Sequence, residues 1–393
     1  MRILMLGWEL PPHNAGGMGV VCYQMARALA GRGAQIDFVL PYTADHPGTE
    51  FMNIISHQAK SPYGRDKGTF VYDTNYSENS AMHQLQQDYL SIAVKHAKKY
   101  PPDVIHANDW LTLRAGMAVK EVTKKPLIAH IHATEYDRAG GKNGNLIIHD
   151  IERMGLMMAD RIIAISKLQR DLIAERYDIP QKKIEIVHNT IDYADFSDQV
   201  DGDTYRYAKR MQQEGYCVVS VMNRLTVQKG LAFFMRAAAK ASQRLSRFVF
   251  IIGGDGEQRN ELIEMSADLG IADKVLFPGF VRGKEWRDVF AVSDVFVMSS
   301  VSEPFGITAL EAAAHGCATV ITKQSGAGEV IINGFKYDYW DEDRLADILI
   351  NLASSSALTS HLQANALEEI RGKSWNDVAS RFIEQYTKVG AIA

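Results

Sequence analysis

A chain of 393 residues is long enough to form two domains, each with a buried core of its own. Its hydrophobic fraction of 46% and its charged fraction of 23% are those of a soluble globular protein. A net charge of −4 argues against nucleic acid as the main partner, because phosphate backbones select clustered lysine and arginine.

The first residues predict a β-strand and no targeting segment. The short apolar run 1–8 is followed at once by Glu9 and Pro11, and it lacks the long apolar core and cleavage site of a signal peptide. No run approaches the roughly 18 apolar residues that a membrane-spanning helix needs. Only three cysteines occur, at spacings that match no zinc or redox motif, which fits a reducing compartment. We therefore expect a cytoplasmic protein with no integral membrane segment.

The first half alternates short apolar strands with amphipathic helices, which is typical of a parallel sheet covered on both faces. A helix is predicted over 18–30, between the first two strands. The predicted strands of this half are Arg2–Leu6, Gln35–Leu40, Val104–Ala107, Leu127–His132, Arg161–Ile165 and Ile184–Val187. Residues 42–80 interrupt the alternation with many Gly, Pro, Asn and Asp residues, and predict either a substrate lid or a plain surface insertion.

The alternation restarts after the polar stretch 189–215 and predicts a second domain of the same kind. Its predicted strands are Tyr216–Val221, Phe248–Ile252, Lys274–Phe277, Val295–Met298 and Ala318–Ile321. We place the boundary near residue 198, so that the domains cover 1–198 and 199–375. Two doubly wound α/β domains in tandem are expected to leave a cleft between the carboxyl ends of their sheets, where such folds bind ligands.

The stretch 302–312 predicts a tight turn and a helix after a buried strand. It places Glu303 at the turn, several backbone amides at the start of the helix, and Glu311 about one turn further. Free amides at the positive end of a helix dipole suit an anionic ligand, and two flanking carboxylates suit sugar hydroxyls. An ordinary capped helix is an equally good interpretation of this stretch alone. The backbone amides at the start of this predicted helix belong to Gly306, Ile307 and Thr308.

A glycine-rich segment follows the first predicted strand. Residues 14–19 read NAGGMG, and Gly16 and Gly17 allow backbone amides to approach a ligand closely. The spacing is not that of the dinucleotide-binding fingerprint. A phosphate-binding loop and a structural turn are therefore equally good interpretations.

Polar and glycine-rich turns also follow strand ends in the second domain. Arg224 and Lys229 could converge there on a diphosphate, with forked hydrogen bonds from the arginine and a point charge from the lysine. Two solvated cations would be the simpler interpretation, but the position at a strand end favours the diphosphate. The turns around Gly254 and Val281 suit backbone contacts to a nucleobase, and a purely structural role is at least as good an interpretation.

Two segments of the first domain carry polar side chains just past predicted strands. We expect His130 and His132 to point to opposite faces, so that one packs in the domain, the other reaches the cleft, and the two do not form a metal pair. Asp109, after the preceding strand, is expected either to cap the next helix or to support the region around His132.

In chain order, the motifs GGxG, HANDW, HATE, NRLTxQKG and EPFG…E resemble the retaining glycosyltransferases of family 4, especially their glycogen- and starch-synthase-like members. The resemblance covers nearly the whole chain. It implies two Rossmann-like domains that face each other across a cleft (the GT-B type), with a last helix, 376–393, that crosses back to the first domain. It also implies transfer of a hexosyl group, such as glucosyl from UDP- or ADP-glucose, to a carbohydrate or other hydroxyl acceptor, with no metal or cofactor.

The resemblance implies roles on the donor side for five residues. Arg224 and Lys229 match the pair that holds the donor diphosphate, and Gly17 matches the glycine loop that approaches it. Glu303 and Glu311 match the family's E-x7-E motif, in which the first glutamate lies near the transferred sugar and the second binds the ribose.

The resemblance also implies a reaction centre in the first domain. His132 matches a histidine near the transferred sugar, and Arg138 would help to line the same site. Asp109 would support the region around His132. The glycine loop departs from bacterial glycogen synthases, because Asn14 and Val20 stand where that pattern has other residues, including a donor-contacting lysine. This departure leaves the donor and the acceptor open.

Three other functions are weighed against transfer. A nucleotide-sugar epimerase of the same fold would not need the Glu303/Glu311 pair together with Arg224 and Lys229. A phosphorylase would need a pyridoxal-binding lysine, for which the sequence gives no signal. A non-catalytic nucleotide-sugar or carbohydrate-binding relative would not need the intact set of charged residues. The sequence predicts either a monomer or a homo-oligomer.

Overall fold

Two separate parallel sheets organise the chain. The computed structural model describes residues 1–13, 17–56, 76–77, 80–141, 144–196 and 200–391. The chain divides into two compact units, Met1–Asn189 with Trp375–Ala393, and Thr190–Ser374. Each unit has its own hydrophobic core, which surrounds its own sheet.

The first unit contains a seven-stranded parallel sheet in the order β3-β2-β1-β4-β5-β6-β7. Its strands are β1 Arg2–Leu6, β2 Gln35–Leu40, β3 Asn53–Ser56, β4 Val104–Asn108, β5 Leu127–Ile131, β6 Arg161–Ala164 and β7 Ile184–Ile186. Its helices are α1 Gly17–Gly31, α2 Ala81–Lys99, α3 Asp109–Thr123, α4 Glu135–Arg138, α5 Leu146–Met158 and α6 Lys167–Tyr177. Every residue of β4 and β5 is buried, as a sheet covered on both faces requires.

The second unit contains a six-stranded parallel sheet in the order β10-β9-β8-β11-β12-β13, which is the doubly wound order. Its strands are β8 Cys217–Met222, β9 Phe248–Gly253, β10 Val275–Gly279, β11 Val295–Met298, β12 Ala318–Thr322 and β13 Phe335–Tyr337. Its helices are α7 Arg206–Gln213, α8 Leu231–Arg244, α9 Arg259–Asp268, α10 Gly283–Ala291, α11 Ile307–Ala314, α12 Glu342–Ser354 and α13 Ser356–Arg371.

The last helix, α14 Trp375–Lys388, returns to the first unit. It packs against α1, and its Tyr386 hydroxyl lies 2.7 Å from Nδ1 of His106 on β4. The prediction of two parallel α/β domains with a C-terminal helix that crosses back is therefore confirmed. None of the helices in the described part of the chain is long and apolar enough to span a bilayer.

Three details differ from the expectations. Strand β3 lies within the predicted insertion 42–80 and pairs with β2, while residues 57–75 and 78–79 lie outside the described part of the chain. Strand β13 was not predicted. The division falls after Asn189 and not near residue 198, because the short 3₁₀ helix Tyr193–Phe196 contacts α11 and the Phe196 ring lies 5.4 Å from that of His315.

Candidate functional site

Strand β11 leads into a turn whose shape requires glycine. Gly306 has φ +96°, precedes α11 at the N-cap position, and offers no capping side chain. A Cβ at this position would lie 2.5 Å from the side chain of Met298. The amides of Ile307 and Thr308 lie in the first turn, where they have no partner within their own helix. The helix begins where it was predicted. Its N-terminal end carries the partial positive charge of the helix dipole, which favours an anion.

Glu303 and Lys229 meet in the second unit. Lys229 Nζ lies 2.6 Å from Glu303 Oε2, and Ser300 Oγ donates to the same oxygen at 3.0 Å. The two charged side chains are only 17% and 14% exposed. The Glu303 backbone is held as well, because its N–H donates to Gln324 O and its carbonyl accepts from Gly326 N–H. Its other carboxylate oxygen, Oε1, accepts no hydrogen bond from a described residue and could take a sugar hydroxyl.

The loop that carries Lys229 is bonded to the turn that carries the glutamate. Ser299 Oγ donates to Lys229 O at 2.8 Å, and Gln228 Nε2 donates to Ser302 O at 2.9 Å. Gly230 has φ +64°, and a Cβ there would lie 2.1 Å from Ser299 O. The cation is thus presented at a defined position by its backbone as well as by its ion pair.

The remaining residues predicted for the donor side lie on neighbouring loops. Arg224 is half-buried on the same loop as Lys229. Gly254 has φ +130°, and a Cβ there would lie 1.8 Å from Asn223 O. Its N–H already donates to Gly279 O at 2.8 Å, so this amide is not available to a nucleobase and the glycine serves close packing. Val281 follows β10 and is buried.

Glu311 begins the second turn of α11. Burial raises the pKa of its carboxyl from 4.5 to about 7, and a hydrogen bond with the Trp286 side chain opposes this shift. An ionised carboxylate accepts hydrogen bonds and a protonated one donates as well. A pair of ribose hydroxyls, which would donate to this group, would therefore favour its ionised form.

In the first unit, Asp109 has an unusual backbone conformation. Its φ is +58°, which is uncommon for a residue other than glycine and is often found at functional positions. Asp109 Oδ1 accepts hydrogen bonds from His132 N–H at 2.6 Å and from Ala133 N–H at 3.2 Å. The capping interpretation is wrong, since Asn108 is the N-cap residue of α3 and makes no side-chain capping bond. The two backbone hydrogen bonds to Asp109 are the contacts that the alternative, support of the His132 region, requires.

Asn108 fixes the protonation of His132. Asn108 Nδ2 donates to Leu6 O at 2.9 Å, so its Oδ1 is the atom that lies 3.1 Å from His132 Nε2, and Nε2 must donate. Burial lowers the pKa of His132, although the Asp109 charge opposes this, so the ring is neutral. The lone pair of a neutral ring protonated on Nε2 is on Nδ1. That atom is buried and has no partner among the described residues.

The expectation that His130 and His132 point to opposite faces is wrong. Residues two apart on a strand lie on the same face, and the two ring centroids are 4.1 Å apart. His130 Nδ1 lies 3.1 Å from His106 Nε2, so the strands β4 and β5 are joined by their histidines. In the described ranges, no three His, Cys, Asp or Glu side chains are grouped so as to hold a metal ion.

The structure places Arg138 in a network of ion pairs and hydrogen bonds, and its predicted place at the reaction centre stays a prediction. Its guanidinium lies 2.6 Å from Glu152 Oε1 and 3.2 Å from Glu135 Oε2, and it donates to Ala133 O at 2.9 Å. The Tyr177 hydroxyl donates to the other oxygen of Glu152. Burial raises the pKa of Glu152 to about 7, and Arg138 opposes that shift. Arg138 is therefore part of a network that holds the turn after β5.

The glycine loop is described only from Gly17, which begins α1, and Gly16 lies outside the described residues. Gly19 N–H donates to Glu9 Oε1 at 3.0 Å, and Glu9 is 4% exposed. This buried carboxylate fixes the start of the helix.

Three residues with defined roles were missed by sequence reasoning. Asn108 and Ser300 each stand at or just past the carboxyl end of a buried strand, and that position was a signal that could have identified them. Glu9 carried no such signal, because a charged residue after a first strand is most often a surface residue.

Two family models match the chain, one over its first half and one over its second half. The model of Glycosyltransferase Family 4 matches residues 15–195, and that of Glycosyl transferases group 1 matches residues 207–369. An uncharacterised glycosyltransferase of Methanocaldococcus jannaschii is 28% identical over 395 residues, which cover 98% of this chain and 98% of that protein.

Two further similarities extend over most of the chain. The glycogen synthase of Mycobacterium tuberculosis is 28% identical over 346 residues, which cover 85% of this chain and 81% of that protein. The crystal structure of Anabaena HepE in complex with UDP-glucose is similar with a TM-score of 0.74 at 20% identity, over 99% of this chain and 100% of that chain.

Proposed function

Because this chain belongs to the glycosyltransferases of family 4, we propose that it is a retaining hexosyltransferase that moves a glucosyl group from UDP- or ADP-glucose to a hydroxyl acceptor. The acceptor would be a carbohydrate or another hydroxyl compound. The reaction would need no metal ion and no cofactor, because the protein itself supplies the positive charge that the leaving group requires.

The contact between Lys229 and Glu303 carries this proposal. A cation for a departing diphosphate and a carboxylate for a sugar lie 2.6 Å apart, close to a helix start of the second unit. Lys229 and Ser300 both hold Glu303 Oε2, which favours an orienting role for Glu303 over that of a nucleophile. In this it would differ from the nucleophilic carboxylate of a retaining glycoside hydrolase.

The proposed step breaks the bond between the anomeric carbon of the sugar and the diphosphate oxygen. The acceptor oxygen forms its new bond on the same face, and its proton goes to the departing phosphate oxygen. Arg224, Lys229 and the amides that follow Gly306 would stabilise the charge on the diphosphate. One such preorganised donor contributes about 3 kcal/mol in enzymes where it has been removed.

His132 would bind the transferred sugar. Its Nδ1 carries the lone pair of a neutral ring, so it would accept a hydrogen bond from a sugar hydroxyl. A neutral histidine is suited to this task, because it adds no positive charge near the oxocarbenium-like carbon of the transition state. Asp109, which accepts from the His132 N–H, would keep the ring in place.

The choice of glucose rests on two of the similar proteins, a glycogen synthase and a protein crystallised with UDP-glucose. A thermal-shift series with UDP-glucose, ADP-glucose and GDP-mannose tests it, because a ligand of the folded state raises the melting temperature. We expect a glucose nucleotide to raise it most and Lys229→Ala to remove most of the shift. No shift with any nucleotide sugar would contradict the proposal.

A further inference from the structure

Helix α5 is apolar on its buried side and also on its exposed side. The side chains that it packs into the core of the first unit include those of Ile148, Ile151 and Leu156. Four further apolar side chains are exposed on the opposite side, with exposed fractions of 70% for Leu146, 56% for Met154, 56% for Met157 and 41% for Met158. A helix that is apolar on both sides is typical of a buried position, and a contiguous exposed apolar surface marks an interaction site.

The buried side holds α5 firmly in the first unit. Gly155 allows close packing on α3, because a Cβ at this position would lie 2.7 Å from the Leu113 side chain. Glu152 Oε1 lies 2.6 Å from the Arg138 guanidinium and accepts a hydrogen bond from Glu135 N–H at 2.9 Å. A surface that is already fixed loses little conformational entropy when it binds a partner. The exposed side of α5 is therefore a rigid surface suited to docking.

Two opposite charges lie among the exposed apolar side chains. At about 100° per residue, Leu146, Asp150, Arg153 and Met157 fall within about 60° of one another around the helix axis. The Asp150 side chain is 76% exposed, and its Oδ1 lies 3.9 Å from Nδ1 of His149. Arg153 is exposed and forms no ion pair with a described residue. An acid and a base are thus available to a partner on this side of the helix.

The order of these four side chains along α5 is self-complementary. In a two-fold dimer with antiparallel α5 helices, whose axis passes between positions 151 and 152, each residue faces the one equally far beyond that axis. Leu146 then faces Met157 of the second copy, and Asp150 faces Arg153 of the second copy. Each pair occurs twice, so that two ion pairs at the centre are flanked by two apolar contacts.

We propose that the exposed side of α5 is the interface of a homodimer, in which a second copy of this chain docks with its α5 antiparallel. Charge complementarity selects this occupant. An anionic lipid surface would repel the Asp150 carboxylate about as strongly as it attracts Arg153, so it gains nothing from this pair. A contact between two helices is small, so the dimer is weak and reversible, with a Kd on the order of 10–100 μM. The proposal is independent of the reaction that the protein catalyses.

The first test exchanges the two charges. Sedimentation equilibrium of the full chain from about 5 to 500 μM measures the Kd of the dimer. Arg153→Asp and Asp150→Arg should each raise this Kd about tenfold or more, because like charges would face each other near the two-fold axis. The double variant Asp150→Arg/Arg153→Asp should bring it back to within about threefold of the wild-type value, because opposite charges face each other again.

Arg210→Asp is the matched control for the charge exchange. It makes the same change of charge at an arginine that is 65% exposed on α7, in the second unit, and it should leave the Kd unchanged. All the substituted side chains are exposed, so the variants should keep the fold, which circular dichroism checks.

The second test checks the direction and register of the two helices. The double variant Leu146→Cys/Met157→Cys should form disulfide-linked dimers under mild oxidation, seen on a non-reducing gel, because the two positions face each other across the interface. Each single variant should stay unlinked, because the two copies of one position would lie roughly 16 Å apart along the helices. The three native cysteines are buried, and the wild-type protein gives the background.

A wild-type protein that stays monomeric up to about 500 μM would overturn the proposal. If that monomer sedimented with vesicles of phosphatidylserine and phosphatidylcholine, the exposed side of α5 would be assigned to a lipid surface instead. A dimer that Arg153→Asp does not weaken, or that the charge exchange does not restore, would also contradict the proposed interface. Crosslinking of the single cysteine variants as fast as the double variant would contradict the antiparallel register.

Discussion

Lys229 Nζ lies 2.6 Å from Glu303 Oε2, although 74 residues separate the two in the chain. The contact joins the loop after β8 to the turn after β11, which are neighbouring strands of one sheet. A group that would bind the diphosphate and a group that would orient the sugar are therefore positioned by each other. A change at either residue should affect both ends of a bound nucleotide sugar.

Lys229→Ala should lower kcat by about 100-fold, because one preorganised charge on the leaving group is lost. Steady-state transfer from UDP-glucose measures this effect. Lys323→Ala is the control, since Lys323 forms a more exposed ion pair with Asp338 in the same unit at a similar distance of 2.8 Å. A loss in Lys323→Ala as large as in Lys229→Ala would contradict a specific role for Lys229.

Gly306→Ala should destabilise the second unit by about 2 kcal/mol or more and weaken nucleotide-sugar binding. The new Cβ would meet the Met298 side chain at 2.5 Å in a residue whose φ is +96°. Gly316→Ala is a matched control at the other end of α11, because φ is +84° there and nothing lies within 4 Å of the new Cβ. Urea unfolding and UDP-glucose titration should show the larger stability loss, and the only affinity loss, in Gly306→Ala.

Glu311 should make both stability and donor affinity depend on pH. Its pKa is raised from 4.5 to about 7 in the folded protein, so the folded state holds the proton more tightly than the unfolded state does. The free energy of unfolding that this pKa difference adds is complete below pH 4.5. It is lost as the pH rises through about 7. At pH 8, Glu311→Gln should therefore be more stable than the wild type by up to about 3 kcal/mol, with a smaller difference at pH 5.

The affinity for UDP-glucose should change with pH in the opposite direction. Ribose hydroxyls donate to the ionised Glu311, so binding should strengthen from pH 6 to pH 8 in the wild type and stay nearly constant in Glu311→Gln. Calorimetric titration measures this, and the donor itself does not titrate in that range. An unchanged pH profile in Glu311→Gln would exclude Glu311 from the donor site.

Arg138→Met should destabilise the first unit by about 3 kcal/mol or more, because Glu152 and Glu135 would lose their buried cation. The pKa of Glu152, already about 7, would rise further, so the loss should be larger at pH 8 than at pH 6. Arg244→Met, which removes an exposed pair with Asp347, should cost about 0.5 kcal/mol or less.

A second substitution separates this structural role of Arg138 from a catalytic one. Glu152→Gln in the Arg138→Met background should restore part of the stability, and the transfer activity should return with it. Activity that stayed low in a restored, folded double variant would support the catalytic role that the sequence resemblance implied.

The buried strands and the helix start near the donor residues could be predicted from local sequence. β11 has the predicted bounds and α11 begins where it was predicted, because an apolar run, a proline and a glycine mark these positions. β3 and β13 were missed because they have only four and three residues, with partly exposed side chains and no clear apolar run. Short strands at sheet edges are defined by their partners, which a local pattern does not contain.

The site could be predicted only in part, because some of its contacts follow from the order of strands in the sheet and others depend on the tertiary fold. That Lys229 and Glu303 meet follows from their positions after strands of one sheet. The positive φ of Asp109 and the ion pair of Arg138 with Glu152 depend on tertiary contacts that no spacing encodes. The contact between His106 and Tyr386 joins residues 280 positions apart, so no local pattern connects them.

The most direct test of the account is the anomeric configuration of the product that the wild-type protein forms from UDP-glucose and a carbohydrate acceptor, followed by proton NMR, with Lys229→Ala beside it. The account predicts an α-linked product, the configuration of the donor, and a roughly 100-fold slower signal in the variant. A β-linked product, or equal rates in the two proteins, would contradict it.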